Sequence, residues 1–388
     1  MSLHLPDALG GRAAIAGIGA TEFSKDSGRS ELTLAVEAVH AALDDAGLVP
    51  ADVDGLVTFT MDTSPEITVA QAAGIGELSF FSRIHYGGGA ACATVQQAAL
   101  AVATGIAEVV VCYRAFNERS GRRFGSGVQH REPSAEGAAL GWQLPFGLLT
   151  PASWVAMAAR RYLHVHGLTP DAFGHVAVTA RRHAATNPAA HFFGRPITLA
   201  DHAASRWIAE PLRLLDCCQE TDGGQAIVVT SAERARDLRR PPAVITAAAQ
   251  GAGRGQEAMT SFYRGGLTGL PEAGVVARQL WRTSGLAPGD IDVGILYDHF
   301  TPFVLMQLEE FGFCAPGEAA DFVAADALPL NTHGGQLGEA YLHGMNGIAE
   351  AVRQVRGTSV NQVPGAARVL VTAGTGVPTS GLILGADG

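Results

Sequence analysis

The chain is poor in charge. Asp, Glu, Lys and Arg make up 16% of its 388 residues, against about 25% in an ordinary soluble domain. With hydrophobic residues at 47%, this calls for a large interior or for surface buried in an oligomer, and it excludes disorder over most of the length. Lys and Arg number 27 against 37 Asp and Glu, a net charge of −10. That balance argues against a nucleic-acid backbone or an anionic membrane as the main partner. Cysteine is scarce: Cys92, Cys112, Cys217, Cys218 and Cys314, with no C-x-x-C spacing. A disulfide framework and a structural zinc site are excluded on that count, and a reducing cytoplasm fits. The N-terminal residues show no basic stretch leading into an apolar one, so no signal peptide is expected. No apolar run approaches the ~18 residues that span a bilayer. The expectation is a soluble, cytoplasmic protein.

Several common motifs are also missing. Gly17-Ile18-Gly19 follows a possible strand, but the third glycine of a dinucleotide fingerprint would fall on Glu22, whose charge opposes a pyrophosphate. There is no phosphate-binding G-x-x-x-x-G-K and no G-x-S-x-G elbow. His164 and His166 are two apart and diverge on a helix, a poor metal pair. His183, His191 and His202 read as solvated loop or helix residues, so no metal site is expected.

Glycine is what the chain has in excess: 48 residues, about 12%, against a usual ~7%. Two of them belong to an internal repeat. Gly47, Leu48, Pro50, Asp52 and Asp54 recur at one constant offset as Gly285, Leu286, Pro288, Asp290 and Asp292. Each copy reads as a helix stopped by glycine, a Pro-containing turn, and an apolar strand (56–59 and 293–296). Between and after the copies, helical patterns alternate with buried β-branched runs at 108–112, 226–230, 243–249, 370–372 and 382–384. This pattern predicts an α/β architecture with sheets covered on both faces. The stretch 118–220, rich in Arg and His, reads as helices and loops without strands, a lid-like insertion in the first half. The division is then 1–240 for the first half and 241–388 for the second.

Two polar clusters stand out in the second half. Tyr297-Asp298-His299-Phe300-Thr301 follows a strand directly, at the carboxyl end where open α/β sheets place their sites. The run 331–347 combines glycines with Asn331, His333, Tyr341 and His343, side chains that donate or transfer protons.

Together with 16–23, 183–192, 215–226 and 308–313, these clusters resemble the thiolase superfamily, in its thiolase-like lipid-transfer-protein branch related to sterol-carrier-type thiolases. The resemblance runs over nearly the whole chain. It implies the thiolase fold: duplicated βαβαβαββ halves in αβαβα layers, with a loop-domain insertion in the first half, in agreement with the repeat. The departures are informative. The position of the family's cysteine nucleophile falls on Gly88, while nearby Cys92 reads as a packed core thiol. The histidine of the family's Gly-His-Pro sequence falls on Tyr341, and the polar residue opening the other tetrad falls on Tyr297. The second family cysteine has no counterpart in 373–378. Without a thiolate, covalent acyl transfer has no nucleophile.

Two tyrosines at these places resemble the lipid-transfer-protein aldolases of steroid side-chain degradation. The resemblance implies retro-aldol cleavage of a β-hydroxyacyl-CoA to a ketone and a short acyl-CoA, propionyl- or acetyl-CoA. Tyr297 would take the hydroxyl proton and Tyr341 protonate the enolate carbon, though the roles could be exchanged. An ordinary phenol has a pKa of ~10, so His299 and His343 are candidates to assist. Backbone N–H groups around Gly88 and Gly376 would hold the enolate oxygen, with Asp298, Asn331 and His333 as supporting or substrate-binding residues. Arg114, Arg119, Arg122 and Arg123 read as a solvated basic patch, with a second reading as contacts to CoA phosphates. The implied assembly is a homodimer working with a small zinc-ribbon and OB-fold accessory protein. No cofactor is implied beyond the CoA of the substrate. Two alternatives stay open: a non-catalytic lipid- or acyl-CoA-binding thiolase-like protein, and an acetyl-CoA acyltransferase using another nucleophile.

Overall fold

The computed structural model describes residues 9–85, 87–121, 123–126, 141, 143–256, 261, 264–374 and 379–386. Its first half runs β1 (Ala13–Ala20), α1 (Glu31–Ala46), β2 (Gly55–Phe59), α2 (Glu66–Ala73), β3 (Phe80–Ile84), α3 (Ala91–Ala103) and β4 (Val109–Asn117). The chain then makes a long excursion through α4 (Pro151–His166), α5 (Asp171–Thr186) and α6 (Leu199–Ala204). A ribbon of β5 (Trp207–Ala209) and β6 (Leu212–Arg213) follows, and β7 (Asp222–Ser231) completes the half. After α7 (Ala232–Arg236), the second half begins with β8 (Ala243–Gly251), α8 (Pro271–Ser284) and β9 (Val293–Ile295). It continues through α9 (Thr301–Glu310), α10 (Ala319–Ala324), α11 (Gly335–Gly338) and α12 (Met345–Arg356) to β10 (Arg368–Ala373) and β11 (Thr379–Ala386).

The strands form one nine-stranded ladder in the order β3-β2-β4-β7-β1-β8-β11-β10-β9. The halves meet where β1 pairs antiparallel with β8, Ala14 opposite Val244 and Ile15 opposite Ala243. Outward from that seam the two halves mirror each other. In the second half, however, the counterpart of β3 is reduced to a single bridge from Gly294 to Leu330. Three apolar cores match the layers. α1 and α2 cover the outer face of the first half, and α4, α5, α8, α9 and α10 cover that of the second. Between them, α3 and α12 pack against strands of both halves. Among the described residues no helix is long and apolar enough to cross a membrane.

The repeated residues do the same work twice. Gly47 and Gly285 end their helices in the left-handed conformation, φ 77° and 69°, where a glycine carries no Cβ penalty. The carboxylates of Asp52 and Asp290 each accept the N–H three residues back, both at 2.8 Å. Asp54 accepts from the N–H groups of Glu108 and Val109, at 3.0 and 2.9 Å. Asp292 accepts from those of Ala367 and Arg368, at 2.9 and 2.8 Å. Both aspartates therefore satisfy the N–H groups that open the next strand, which would otherwise lie at a sheet end without partners. Gly17 and Gly19 have a packing role. A Cβ on either would lie 2.2 or 2.1 Å from the backbone of Ala42, so they let α1 press onto β1.

Two expectations need correction. The segment 118–220 contains the β5–β6 ribbon as well as helices and loops. His202, expected in solvent, is buried, its Nε2 2.8 Å from Asp216 Oδ1, and the same oxygen accepts from Thr301 Oγ1 at 2.7 Å. A histidine that pairs with a carboxylate can be enclosed, and this one ties the excursion to the start of α9.

Asp292→Ala strips the acceptor from the two N–H groups that open β10. It should lower the unfolding free energy by about 1–3 kcal/mol, read as a lower urea midpoint; an unchanged midpoint would contradict this role.

Candidate active site

The site lies where β9 runs out of partners. Asn331, held at φ 47°, brackets Leu296 with its side-chain amide. Its Oδ1 accepts the Leu296 N–H at 2.7 Å, and its Nδ2 donates to the Leu296 carbonyl at 3.0 Å. The next residue, Tyr297, donates its N–H to Thr372 Oγ1 at 2.9 Å and accepts from Gln307 Nε2 at 2.8 Å. Thr372 Oγ1 in turn donates to Gln307 Oε1 at 2.5 Å. With its backbone clamped, the Tyr297 ring is aimed across the sheet end. It is buried, and its hydroxyl meets that of Tyr341 at 3.1 Å. Tyr341 is partly exposed, and its N–H donates to Thr221 Oγ1 at 2.9 Å.

Gly88 decides what fits here. It opens the turn into α3, and a Cβ at that position would lie 1.8 Å from Tyr297 Oη and 2.2 Å from Cζ. No side chain, cysteine included, can coexist with Tyr297 in this position. The loop after β10 also comes close: a Cβ on Gly374 would lie 2.2 Å from Gly89 Cα. Gly376 lies outside the described residues, as does Arg122. Cys92 is fully buried beside the carbonyl of Val371, and burial pushes its thiol up. Its thiol is therefore not the low-pKa group that nucleophilic chemistry uses.

The electrostatics keep the phenols neutral. Burial raises Tyr297 and Tyr341 well above the ordinary phenol value. The hydrogen bond between the two hydroxyls opposes the shift at Tyr297 and adds to it at Tyr341, and the Glu118 carboxylate adds to it at both. Both candidate histidines are neutral as well. Burial takes His299, its ring centroid 4.8 Å from that of Tyr297, down to about 3. His343 is lowered by burial and then by Arg114. Its Nδ1 accepts from Arg114 Nε at 3.2 Å, which leaves the ring proton on Nε2. These rings stand beside the tyrosines as neutral partners without a positive charge. The cation of the site is Arg114, and the solvated patch expected there is a correction. Its guanidinium is fully buried, paired with Asp62, and lies 4.4 Å over the Phe116 ring. Its place inside the apolar run 109–116 is a local hint of burial, but its partners Asp62 and His343 come from other elements.

The other expected residues are placed differently. Asp298 accepts from the N–H groups of Gln336 and Leu337, at 2.7 and 3.4 Å, and so caps α11. Both polar atoms of the Asn331 side chain are taken up by Leu296. His333 faces Glu339 at 3.9 Å. With Tyr297, Thr372 and Asn346 it lines a cavity of about 10 Å³, room for roughly one water. Among the described residues no group of three or more His, Cys, Asp or Glu could hold a metal.

Fold and site define a protein of the thiolase class in which Gly88, at the turn into α3, faces the hydroxyl of Tyr297. Residues 253–385 match the family described as Thiolase C-terminal domain-like. The sequence is 70% identical to the steroid side-chain-cleaving aldolase of Thermomonospora curvata, over 98% of this chain and 99% of that one. It is 68% identical to the 17-hydroxy-3-oxo-4-pregnene-20-carboxyl-CoA lyase of Mycobacterium tuberculosis, over 97% and 100%. A solved structure described as an Ltp2-ChsH2(DUF35) aldolase superposes with a TM-score of 0.94 at 70% identity, covering 98% of this chain and 99% of that one. The chain belongs to the thiolase superfamily, in the branch of the steroid side-chain-cleaving aldolases.

Because burial raises both phenols, Tyr297 and Tyr341 should stay protonated as pH passes the ordinary ~10. Phenolate absorbance checks this: Tyr297→Phe and Tyr341→Phe should remove no signal that titrates at or below that value. Gly88→Ala overpacks the contact with Tyr297 and should cost about 1–3 kcal/mol of stability, seen as a lower thermal midpoint.

Proposed function

We propose that the chain is a carbon–carbon lyase that cleaves the side chain of a steroid β-hydroxyacyl-CoA by a retro-aldol reaction. The observation that carries this reading is the Tyr297–Tyr341 hydroxyl pair, 3.1 Å apart, beside a glycine that leaves no room for a nucleophile. Such a pair moves protons and forms no acyl-enzyme. The substrate class follows that named for the Mycobacterium tuberculosis relative, a 17-hydroxy steroid with a 20-carboxyl-CoA thioester. There the hydroxyl carbon is β to the thioester. Breaking the C17–C20 bond gives a 17-ketone and a three-carbon acyl thioester, propionyl-CoA.

Tyr297 accepts the hydroxyl proton as the bond breaks, and the electron pair moves into the thioester to form an enolate. Tyr341 protonates the enolate carbon. A free phenolate is not needed at rest, because a hydroxyl pair passes on one proton as it accepts another. Backbone N–H groups around Gly88 and at Gly374 hold the enolate oxygen. His299 and His343 orient the phenols as neutral partners. The reading needs no cofactor beyond the CoA of the substrate.

A homodimer completed by a small zinc-ribbon and OB-fold accessory protein, a heterotetramer, accords with the Ltp2-ChsH2(DUF35) assembly named for the structural relative. The zinc belongs to that partner. A cytoplasmic setting goes with the free cysteines.

The test is co-purification with the accessory protein followed by incubation with the 17-hydroxy steroid thioester. The wild type should release the 17-ketone and propionyl-CoA. Tyr297→Phe and Tyr341→Phe should each lower kcat by about 10²-fold or more. Full activity in both variants would overturn the assignment of the tyrosines.

A further inference from the structure

One carboxyl at this site has no task in the chemistry above. Glu118 is the residue after β4, and it is almost fully buried, 2% exposed. Its Oε2 has no hydrogen-bond partner among the described residues. A buried polar atom without a partner is expensive, and native structures keep few of them.

The carboxylates around it are satisfied. Glu220 accepts from Arg123 Nε at 2.6 Å and from the Gly125 N–H at 2.9 Å. Asp222 accepts from the N–H groups of Arg119 and Ser120 at 2.8 and 3.0 Å, and from that of Ser27 at 3.1 Å.

The end of β4 places Glu118. Alternate residues of β4 share a face, and Arg114 and Phe116 on that face reach His343. Arg114 Nε is 3.2 Å from its Nδ1, and the Phe116 and His343 ring centroids are 6.5 Å apart. Glu118 is the residue after that strand and opens a turn, which the Gly121 N–H closes on the Asn117 carbonyl at 2.9 Å. The β4–β7 ladder ends with Asn117 opposite Asp222; Glu118 and Thr221 are the next residues on the two chains, and Thr221 Oγ1 holds the Tyr341 N–H at 2.9 Å. The ladder end that carries Tyr341 thus also carries a buried carboxyl whose Oε2 has no partner among the described residues.

We propose that Glu118 is the proton reservoir of the tyrosine pair, taking up the β-hydroxyl proton through the two hydroxyls and returning it for the enolate carbon. This rests on the aldolase reading. The proton passes from the substrate hydroxyl to the pair as the pair gives one to the Glu118 carboxylate, directly or through one water. The C–C bonding pair becomes the enolate and the ketone forms. The proton then returns along the pair to the α-carbon, and the carboxylate is restored. No oxidant or second substrate enters, and the hydrogen lost by the hydroxyl is the one gained by the acyl product. Glu118 acts through the tyrosines and is a positioning and relay residue.

Its surroundings suit the role. Burial raises its pKa, Glu220 and Asp222 add to the shift, and Arg114 and Arg123 oppose it. The groups that share this region are Arg114 on its own strand, Arg123 beyond it, Cys218, Glu220 and Asp222 leading into β7, and Tyr297 and Tyr341 from the second half. A carboxyl raised in this way exchanges protons closer to neutral pH than an ordinary one.

The experiment uses the full chain with its accessory partner and the steroid thioester. Absence of wild-type cleavage overturns the aldolase reading and this inference with it. Given wild-type cleavage, kcat/KM should fall as the pH drops through the raised Glu118 value, because a protonated carboxyl cannot accept. A wild-type profile without that acid limb overturns the inference with no variant needed. Glu118→Gln keeps the shape and removes the titration: kcat should fall about 10²-fold, KM should hold, and the acid limb should vanish. Glu118→Asp should recover part of kcat together with the limb, and it carries the test if Glu118→Gln does not fold. Wild-type kcat with an unchanged profile in Glu118→Gln overturns this inference alone, as does a Glu118→Asp variant that has lost the limb.

Discussion

The site depends on a steric constraint between two residues from opposite halves of the chain. Tyr297 from the second half sends its hydroxyl into the space above Gly88 in the first, where even a methyl group would lie 1.8 Å from the oxygen. Glycine and tyrosine are one feature: the tyrosine is possible because the glycine is bare, and the glycine cannot be anything else while the tyrosine is there. The same contact brings the phenol to Tyr341 and removes the volume that a thiolate would need. The proposed reaction accordingly uses the tyrosines for proton transfer and forms no acyl-enzyme.

The rest of the structure holds that contact in place. The duplicated layers set the turn into α3 against the end of β9, with α3 and α12 sharing the middle core. Thr372, Gln307 and Asn331 fix the backbone at Tyr297. Thr221 fixes Tyr341. From the first half, the Asp62–Arg114 pair reaches across to set the tautomer of His343. Burial makes this arrangement electrostatically quiet. Tyr297, Tyr341, His299 and His343 are all held neutral, and the buried guanidinium of Arg114 is already matched by the Asp62 carboxylate. The proposed relay rests on this neutral hydroxyl pair together with a buried carboxyl, Glu118, whose Oε2 has no hydrogen-bond partner among the described residues.

Much of this was legible in the sequence because it is local. The repeat around Gly47 and Gly285 predicts two like halves, since a glycine stop, a Pro turn and an aspartate each act within a few residues. The two tyrosines could be found because each sits in a dense polar cluster at the end of an apolar run. What was not legible is long-range pairing. Arg114 sits among neighbours that look like any exposed basic cluster (Arg119, Arg122, Arg123), and only the fold shows that its strand position faces Asp62 and His343. His202 looked solvated because its partner, Asp216, belongs to a different element. Asp298 and Asn331 carry the chemistry expected of site residues, yet the backbone takes up their hydrogen-bonding capacity. Glu118 carries no sequence signal, since its interest lies in a buried Oε2 without a partner among the described residues.

The central claim is that this chain breaks a carbon–carbon bond without becoming acylated. Intact-mass spectrometry of the chain, quenched with acid during turnover of the steroid thioester in the presence of its accessory protein, tests that directly. The account predicts only the mass of the unmodified chain while ketone and acyl-CoA accumulate. A species heavier by the acyl group, formed and consumed at the rate of turnover, would contradict it.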